Sequence, residues 1–201
     1  TKVTCTAVDW FNNSASVSFN VTVKPKWILS VQVQMKGLVS KKSFDRCCLF
    51  ELADCKGNLP AQAVKGTLTF VNGVASGDLE MPTPDPCVDI PKATYDCARA
   101  KDFRHSLWST VGSDKVGIVG TKFSAVFLGD DALRLGNLNG DSYIDILDWV
   151  IWQFKLMNPA ALPAEDCSDP LPNLAILANQ SADVTGDGKI SAADYGHLYV
   201  N

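Results

Sequence analysis

The chain has 201 residues, of which 46% are hydrophobic and 20% are charged, and its formal net charge is -4. This is an ordinary globular composition, long enough to bury one good core or two small ones. The acidic balance argues against a nucleic-acid surface or an anionic-membrane binder, because both need clustered lysine and arginine. No apolar stretch reaches the roughly 18 residues of a membrane-spanning helix, so no membrane span is expected.

Alternating apolar residues near the N-terminus predict a β-hairpin over residues 1–24. Val17, Phe19 and Val21 follow a turn signal at residues 12–14, and alternation with a period of two is typical of a half-buried strand. Two strands alone are marginal in water, since one apolar face stays uncovered and both edges stay unpaired. We therefore expect another sheet to complete the hairpin, in a neighbouring domain or in another copy of the chain.

A second region of regularly spaced strands is predicted over residues 27–129. Leu29, Val31, Val33 and Met35 alternate with polar residues, as in a strand with one buried face. Further strands are expected at 44–52, 64–71, 74–81, 94–100 and 121–128, with a type I′ turn at Asn72-Gly73. Short strands separated by glycine, proline and asparagine predict an antiparallel β-sandwich.

The chain has seven cysteines and only two histidines, and the cysteine spacing is not that of paired zinc knuckles. Disulfides are the better interpretation, and they indicate an oxidising compartment outside the cytoplasm. The nearest pairings in sequence are Cys47 or Cys48 with Cys55, and Cys87 with Cys97. The seventh thiol is assigned to Cys5, either as a bond to another chain or domain or as a buried free thiol.

Catalytic residues are not evident. His105 and Ser106 are adjacent and would face opposite ways on a strand, and His197 lies on a predicted helix. Neither histidine has an obvious nucleophile and orienting acid, so we expect no enzyme activity. Sequons at Asn12, Asn20 and Asn179 are candidate glycosylation sites.

Two acidic, glycine-containing loops at 137–148 and 183–194 each lead into a segment with helical spacing. Calcium takes about six to eight oxygens, which a loop of about twelve residues supplies from positions 1, 3, 5, 7, 9 and 12. In the first loop the expected ligands are Asn137, Asn139, Asp141, Asp148, the Tyr143 carbonyl, and Asp145 through water. In the second they are Asp183, Thr185, Asp187, Asp194, the Lys189 carbonyl and Ser191. The sequence therefore predicts two bound calcium ions.

Helices are expected at 146–157 and 191–200, after the two loops. The helix at 146–157 is apolar on almost every side, which predicts that it is buried and not exposed to solvent. Trp149 and Trp152 are open to interpretation as a sugar-binding platform, but packing against the sandwich is the favoured prediction.

The paired loops resemble those of dockerins, in which position 12 is an aspartate instead of the glutamate of ordinary EF-hands, as Asp148 and Asp194 are here. The resemblance implies a dockerin-like domain over residues 135–201 and a cohesin-like partner. Positions 10 and 11, where dockerins often carry hydroxyl groups, are Ile146-Leu147 and Ala192-Ala193. Apolar residues at these positions fit a calcium-bound segment that packs on its own neighbour.

The segments 3–9 and 13–23 resemble the closing hairpin of a hyalin-repeat (HYR) domain, which is an immunoglobulin-like sandwich. Similar arrangements occur in large secreted bacterial multidomain proteins. The resemblances imply a mainly β fold with a small α appendage: an antiparallel, Ig-like sandwich plus a dockerin-like pair of calcium loop-helix units. They also imply an extracellular or cell-surface location.

Two hypotheses of function follow. The first is an extracellular calcium-binding structural protein that forms head-to-tail polymers, in which the hairpin completes a neighbour's sheet. The alternative is a non-catalytic binding module that recognises a glycan through the sandwich or docks onto a cohesin-like scaffold. The hairpin favours assembly, because a self-contained binding module has no need of part of another domain.

Overall fold

The computed structural model describes residues 1–21, 26–38, 43–57, 61–82, 95–103, 106–158, 167 and 182–199. The prediction of a mainly β chain is confirmed. The strands are β1 Lys2–Val8, β2 Ser14–Asn20, β3 Trp27–Gln34, β4 Phe44–Ala53, β5 Gln62–Phe70, β6 Val74–Met81, β7 Cys97–Asp102, β8 Ser109–Val111, β9 Val116–Val119 and β10 Lys122–Phe127. The helices are α1 Ile146–Met157 and α2 Ala192–Tyr199, with a short 3-10 turn at Gly129–Asp131.

The strands between residues 27 and 127 form two four-stranded sheets, in the orders β6-β3-β10-β9 and β5-β4-β7-β8. The prediction of purely antiparallel pairing is wrong at one place, because β10 lies parallel to β3. Parallel neighbours require a long crossover connection, and here the chain between them builds the second sheet. The short strands β8 and β9 were not predicted, since three or four residues are too few to establish a period.

Buried alternating residues hold the two sheets together. Every second residue of β3 from Trp27 to Val33 is buried, as the alternation predicts, and Leu29 and Val33 are fully buried. Phe50 of one sheet lies 6.3 Å from Phe127 of the other, measured between ring centroids. The predicted turn is also confirmed, because Asn72 and Gly73 both have positive φ, at 52° and 76°, as a type I′ turn requires.

The disulfides differ from the predicted local pairs. Cys55 bonds to Cys97, not to Cys47 or Cys48, and Cys47 bonds to Cys167 across 120 residues of sequence. Cys87, the partner predicted for Cys97, lies outside the described residues. The pairs follow spatial proximity: Ala53 at the end of β4 lies opposite Cys97 in the sheet, which brings Cys55 close to Cys97.

The N-terminal hairpin forms in the predicted place, with β1 and β2 antiparallel. Cys5 lies opposite Val17, and Val3 lies opposite Phe19. Val17 is 64% exposed and Phe19 is 50% exposed. On the other face, hydroxyl pairs such as Thr4 with Ser18, at 2.9 Å, bridge the strands. The hairpin therefore has one polar and one apolar face, and the apolar face is open to solvent.

Helix α1 has the predicted bounds, but the prediction that it is buried all round is wrong. Trp152 is 8% exposed and packs on Tyr195 of α2, with ring centroids 5.1 Å apart. Three residues on its other faces, Ile146, Val150 and Phe154, are 66%, 49% and 57% exposed. The helix contacts the core along one stripe only, so its remaining apolar residues face outward. Neither described helix is long and apolar enough to cross a membrane.

Candidate metal centre

The first loop, residues 137–148, starts from a segment fixed to both sheets. Leu133 forms a bridge with Met35, and Leu135 forms one with Ser106. Leu133 and Leu135 are fully buried, and Leu138 inside the loop is 3% exposed. Apolar burial thus anchors the loop's first turn on the two sheets before its polar residues begin.

The second loop, residues 183–194, is attached to β4. Arg46 is 6% exposed, and its Nη2 donates to the carbonyl oxygens of Asp183 at 2.8 Å and Val184 at 3.2 Å. Val184 is fully buried, as is Ala182 just before the loop. Sequence reasoning missed Arg46, which lies 137 positions before Asp183. An arginine in a strand that also contains Asp45 and Glu51 carries no local signal of a partner so distant in sequence.

The aspartates at position 12, Asp148 and Asp194, are both fully buried. Asp148 accepts hydrogen bonds from the backbone N–H of Leu138 at 2.6 Å and of Asp145 at 2.8 Å. Asp194 accepts bonds from the N–H of Thr185 at 2.9 Å and of Ser191 at 2.7 Å; the first-loop counterpart of the Thr185 bond is that from the Asn139 N–H to Asp148, at 3.2 Å. In each loop one carboxylate therefore joins the loop's entry to the start of its helix.

The residues at position 1 are also equivalent. The Oδ1 atoms of Asn137 and Asp183 each accept a bond from the glycine N–H three residues later, at 2.8 Å in both loops. These glycines, Gly140 and Gly186, have φ values of 79° and 74°. Glycine adopts positive φ without steric cost, which explains why both loops carry it at position 4.

Positions 5 and 9 repeat the same pattern. Asp141 accepts from the N–H of residue 143 at 2.7 Å, and Asp187 accepts from that of residue 189 at 2.8 Å. Asp145 accepts from the N–H of residue 147, and Ser191 accepts from that of residue 193. Asp145 is also the N-cap of α1 in a capping box with Asp148, a known helix-starting arrangement. The two loops therefore share one backbone path.

Burial raises the pKa of Asp194 above its ordinary value. The charge of Asp183 raises it too, whereas hydrogen bonds from Thr185 and Ser191 lower it. A raised pKa in the folded state means that stability falls as pH rises through that pKa, because the ionised carboxylate is the disfavoured form. Within the described residues, no lysine or arginine forms an ion pair with Asp148 or Asp194. A bound cation would offset this cost.

The donor set suits calcium. Position 3 is Asn139 in the first loop and Thr185 in the second, so every predicted side-chain ligand offers oxygen, which calcium prefers. An ionised carboxylate has about four lone-pair sites, so the backbone bonds leave acceptor capacity for an ion. Tyr143, predicted to ligate through its carbonyl, is 70% exposed, and Lys189 is exposed as well, so their side chains remain outside the loops.

Another cluster of possible metal ligands joins Cys55, Asp96 and Cys97. Both cysteines belong to the same disulfide, so their sulfurs are not thiolates. The Asp96 carboxylate accepts a bond from the Cys55 N–H at 2.7 Å. This cluster therefore supports the β4–β7 connection and is not a metal site.

The described residues considered for catalysis lie on separate parts of the fold, and those considered for glycosylation lie on the hairpin. Ser106 is buried, and its Oγ accepts a bond from the Asp102 N–H at 2.7 Å. His197 is half-buried on α2, and burial lowers its pKa. Asn12 and Asn20 are exposed on the hairpin. His105 and Asn179 lie outside the described residues.

A groove of about 360 Å³ opens between α1 and α2. Its lining consists of Asp145, Ile146, Trp149, Tyr195 and Leu198. The two helices that form its walls each begin at a predicted calcium loop. The groove therefore depends on the geometry of both loops.

No family model, curated protein or solved structure matches this chain.

Proposed function

We propose that the protein is a non-catalytic, extracellular calcium-binding structural module that assembles head to tail. In this proposal the two sheets form an immunoglobulin-like sandwich, residues 135–201 form a dockerin-like domain, and each loop binds one calcium ion. The hairpin at residues 1–24 completes a sheet of the next copy or of a neighbouring domain.

The observation that carries the calcium assignment is a set of hydrogen bonds common to both loops, which the side chains at positions 1, 5, 9 and 12 accept from the backbone N–H groups of positions 4, 7, 11 and 9. Solvated acidic turns have no reason to share a backbone path. In addition, each loop buries a carboxylate completely, at Asp148 and Asp194; backbone N–H groups bond to both, and a buried charge needs an opposite charge as well as hydrogen bonds. Two calcium ions supply that charge.

The exposed hairpin supports assembly. An isolated hairpin is marginally stable at best, and an apolar face on it favours association with another surface. Strand β9 is the last strand of its sheet in the described part of the chain, and its residues Ile118 and Val119 are 37% and 82% exposed. Edge strands present unpaired backbone groups to an incoming strand, so β9 is the acceptor edge in this proposal.

Two disulfides between distant parts of the sequence support an oxidising compartment, since such bonds persist mainly in secreted and cell-surface proteins. Cys5 is exposed on the apolar face of the hairpin. A secreted, bacterial cell-surface location agrees with both features.

The test is the association state of the full chain by light scattering and negative-stain microscopy, with calcium and with chelator. We expect polymers that depend on calcium and disappear when residues 1–24 are deleted. A monomer under both conditions would exclude assembly by hairpin donation and leave calcium binding as a separate question.

A second candidate, glycan binding, is favoured by one exposed aromatic residue. Trp108 is 39% exposed, and the side-chain charges of Arg99 and Lys101 lie 5.0 and 5.7 Å from its ring centroid. It borders a cleft of about 240 Å³ that also contains Asp130 and Arg134. Glycan-array binding that is lost in Trp108→Ala would support this candidate, and an array without a bound glycan would remove it.

Docking onto a cohesin-like scaffold is favoured by a different observation. Ile146 and Leu147, at loop positions 10 and 11, are 66% and 55% exposed. Pull-down of a purified cohesin domain in calcium, lost in Leu147→Asp, would support docking. Failure to bind any cohesin tested would leave self-assembly as the use of this surface.

A further inference from the structure

The turn of the N-terminal hairpin displays two adjacent aromatic residues. Trp10 is 97% exposed and Phe11 is 83% exposed. The turn is held by Asp9, whose Oδ1 accepts bonds from the N–H groups of Phe11 and Asn13, both at 2.8 Å. A third bond runs from the Asn13 side-chain amide to Asp9 at 2.9 Å. The aromatic pair is thus presented on a turn whose backbone is held by hydrogen bonds, which lowers the backbone entropy that binding would cost.

The same chain carries an open groove that suits such a pair. The α1–α2 groove is lined by Ile146, Trp149, Tyr195 and Leu198, with Asp145 as its acidic member. Its volume of about 360 Å³ falls within the range of roughly 300–1,000 Å³ typical of ligand sites, which combine apolar walls with a few polar groups. Trp149 and Tyr195 offer aromatic surface, and the Asp145 carboxylate offers an acceptor.

We propose that Trp10 and Phe11 of one copy insert into the α1–α2 groove of the next copy. The rings pack against Trp149 and Tyr195, where aromatic pairs gain stability beyond their buried area. The indole N–H of Trp10 donates to the carboxylate of Asp145. An exposed apolar patch that fits a groove elsewhere on the same molecule creates a head-to-tail contact, which continues into a filament unless it closes into a ring.

This inference rests on the proposed function, because the turn alone is too small for a stable contact. Two large aromatic side chains bury about 150–250 Å² each, whereas a standard interface buries roughly 800 Å² per partner. Pairing of the hairpin with the neighbour's sheet supplies the remaining area. The aromatic pair then acts as the anchor, the role that tryptophan often has at the centre of an interface.

The experiment uses the full chain in calcium and two kinds of variant. Trp10→Ala with Phe11→Ala removes the anchor. Ile146→Asp places a negative charge on the wall of the groove at an exposed position. An acidic residue in the first turn of a helix is compatible with folding. Val71→Ala, at a residue 54% exposed on the sandwich, is the matched surface control. Circular dichroism and calcium titration establish that each variant is folded.

We expect each anchor or groove variant alone to be monomeric, with its dissociation constant raised at least about thirtyfold, while the control polymerises like the unmodified chain. A mixture of the two variants retains one intact anchor and one intact groove, so it should form a dimer with one copy of each. That dimer, seen by multi-angle light scattering, is specific to this contact.

Polymerisation of Trp10→Ala/Phe11→Ala at the level of the unmodified chain would overturn the inference. If deletion of residues 1–24 still abolished those polymers, hairpin donation would stand without this anchor. A mixture of variants that stays monomeric would also overturn the inference. If the unmodified chain itself is monomeric, both the inference and the proposed assembly fail.

Discussion

The two ends of the chain differ in how they relate to the two four-stranded sheets. The two C-terminal loops insert Leu138 and Val184 into the core. The second loop also receives hydrogen bonds from Arg46, and the segment between the loops is bonded to β4 by the Cys47–Cys167 disulfide. The N-terminal hairpin has six of its seven β1 residues exposed and all seven of β2 exposed. Both ends of the chain therefore form ordered local structure, but only the C-terminal end packs into the core.

The stability of the folded chain comes from the two sheets and from the C-terminal loops and helices that pack on them. The loops and helices share a buried core with the two sheets, so the folding of these parts is coupled. The hairpin orders its own strands and turn, but its apolar face gains nothing from the described part of the chain. Changes at the C-terminal end should therefore alter stability, and changes in the hairpin should alter association.

The largest expected effect comes from the Cys47–Cys167 disulfide. Replacing both residues by serine should lower the free energy of unfolding by about 5 kcal/mol, since the bond closes a loop of 120 residues. Calcium affinity should fall as well, because the bond ties the segment between the two loops to β4. Chemical denaturation and calorimetry measure the two effects.

The control is the Cys55–Cys97 bond, which closes 42 residues and should be worth about 4 kcal/mol. Its removal should leave calcium affinity unchanged at temperatures where the chain is folded. If both pairs of substitutions weaken calcium binding equally, the Cys47–Cys167 bond has no specific effect on the calcium loops, and the proposed coupling between them is wrong.

Arg46→Met should have the next largest effect. Arg46 lies 3.9 Å from Asp102, with side-chain exposures of 7% and 0%, and loss of one partner from a buried pair costs about 3–5 kcal/mol. The carbonyls of Asp183 and Val184 would also lose their donor. Urea denaturation should show the loss, together with weaker calcium binding at the second loop.

Arg99→Met is the matched control, because Arg99 pairs with Glu51 at side-chain exposures of 43% and 18%. A largely solvated pair is worth about 0–1 kcal/mol. Equal losses of stability in the two variants would contradict the assignment of Arg46 as the main polar link to the second loop.

Alanine substitutions at the position-4 glycines should destabilise the two loops to different extents. Gly140→Ala and Gly186→Ala both force a side chain to positive φ, at a cost of about 1–2 kcal/mol. A Cβ at Gly140 meets nothing within 4 Å, whereas one at Gly186 would lie 2.9 Å from Phe44 and 3.0 Å from Arg46. Gly186→Ala should therefore destabilise more, by at least about 1 kcal/mol in thermal denaturation. Equal effects would mean that the second loop does not press on β4.

The smallest effect on stability is expected in the hairpin. Val17→Ala should change the free energy of unfolding of the two four-stranded sheets by less than about 0.5 kcal/mol, as for other surface positions. Val33→Ala, at a fully buried residue of β3, should cost about 2 kcal/mol. A large loss in Val17→Ala would show that the hairpin is part of the core after all.

The locally periodic features were predictable from the sequence. The alternation of β3, the turn at Asn72-Gly73 and the bounds of α1 all follow from neighbours a few residues apart, and all are confirmed. Both candidate calcium loops were also visible, because position 1 and position 12 of each lie in one short stretch. Whether they bind calcium stays a prediction.

Features set by distant residues were not predictable. The partner of Cys47 is 120 residues away, the parallel pairing of β10 with β3 depends on the whole crossover, and the contact of Arg46 with the second loop has no local pattern. The burial of α1 was wrong for the same reason. Its composition is apolar on every side, but only the surrounding fold decides which side is covered.

Calcium titration of the unmodified chain by isothermal calorimetry, after removal of all metal with chelator, tests the central claim most directly. We predict two ions per chain, with one ion lost in Asp148→Ala and the other in Asp194→Ala. An absence of heat of binding at millimolar calcium, in a chain whose circular dichroism shows it to be folded, would contradict the assignment of the loops as calcium sites.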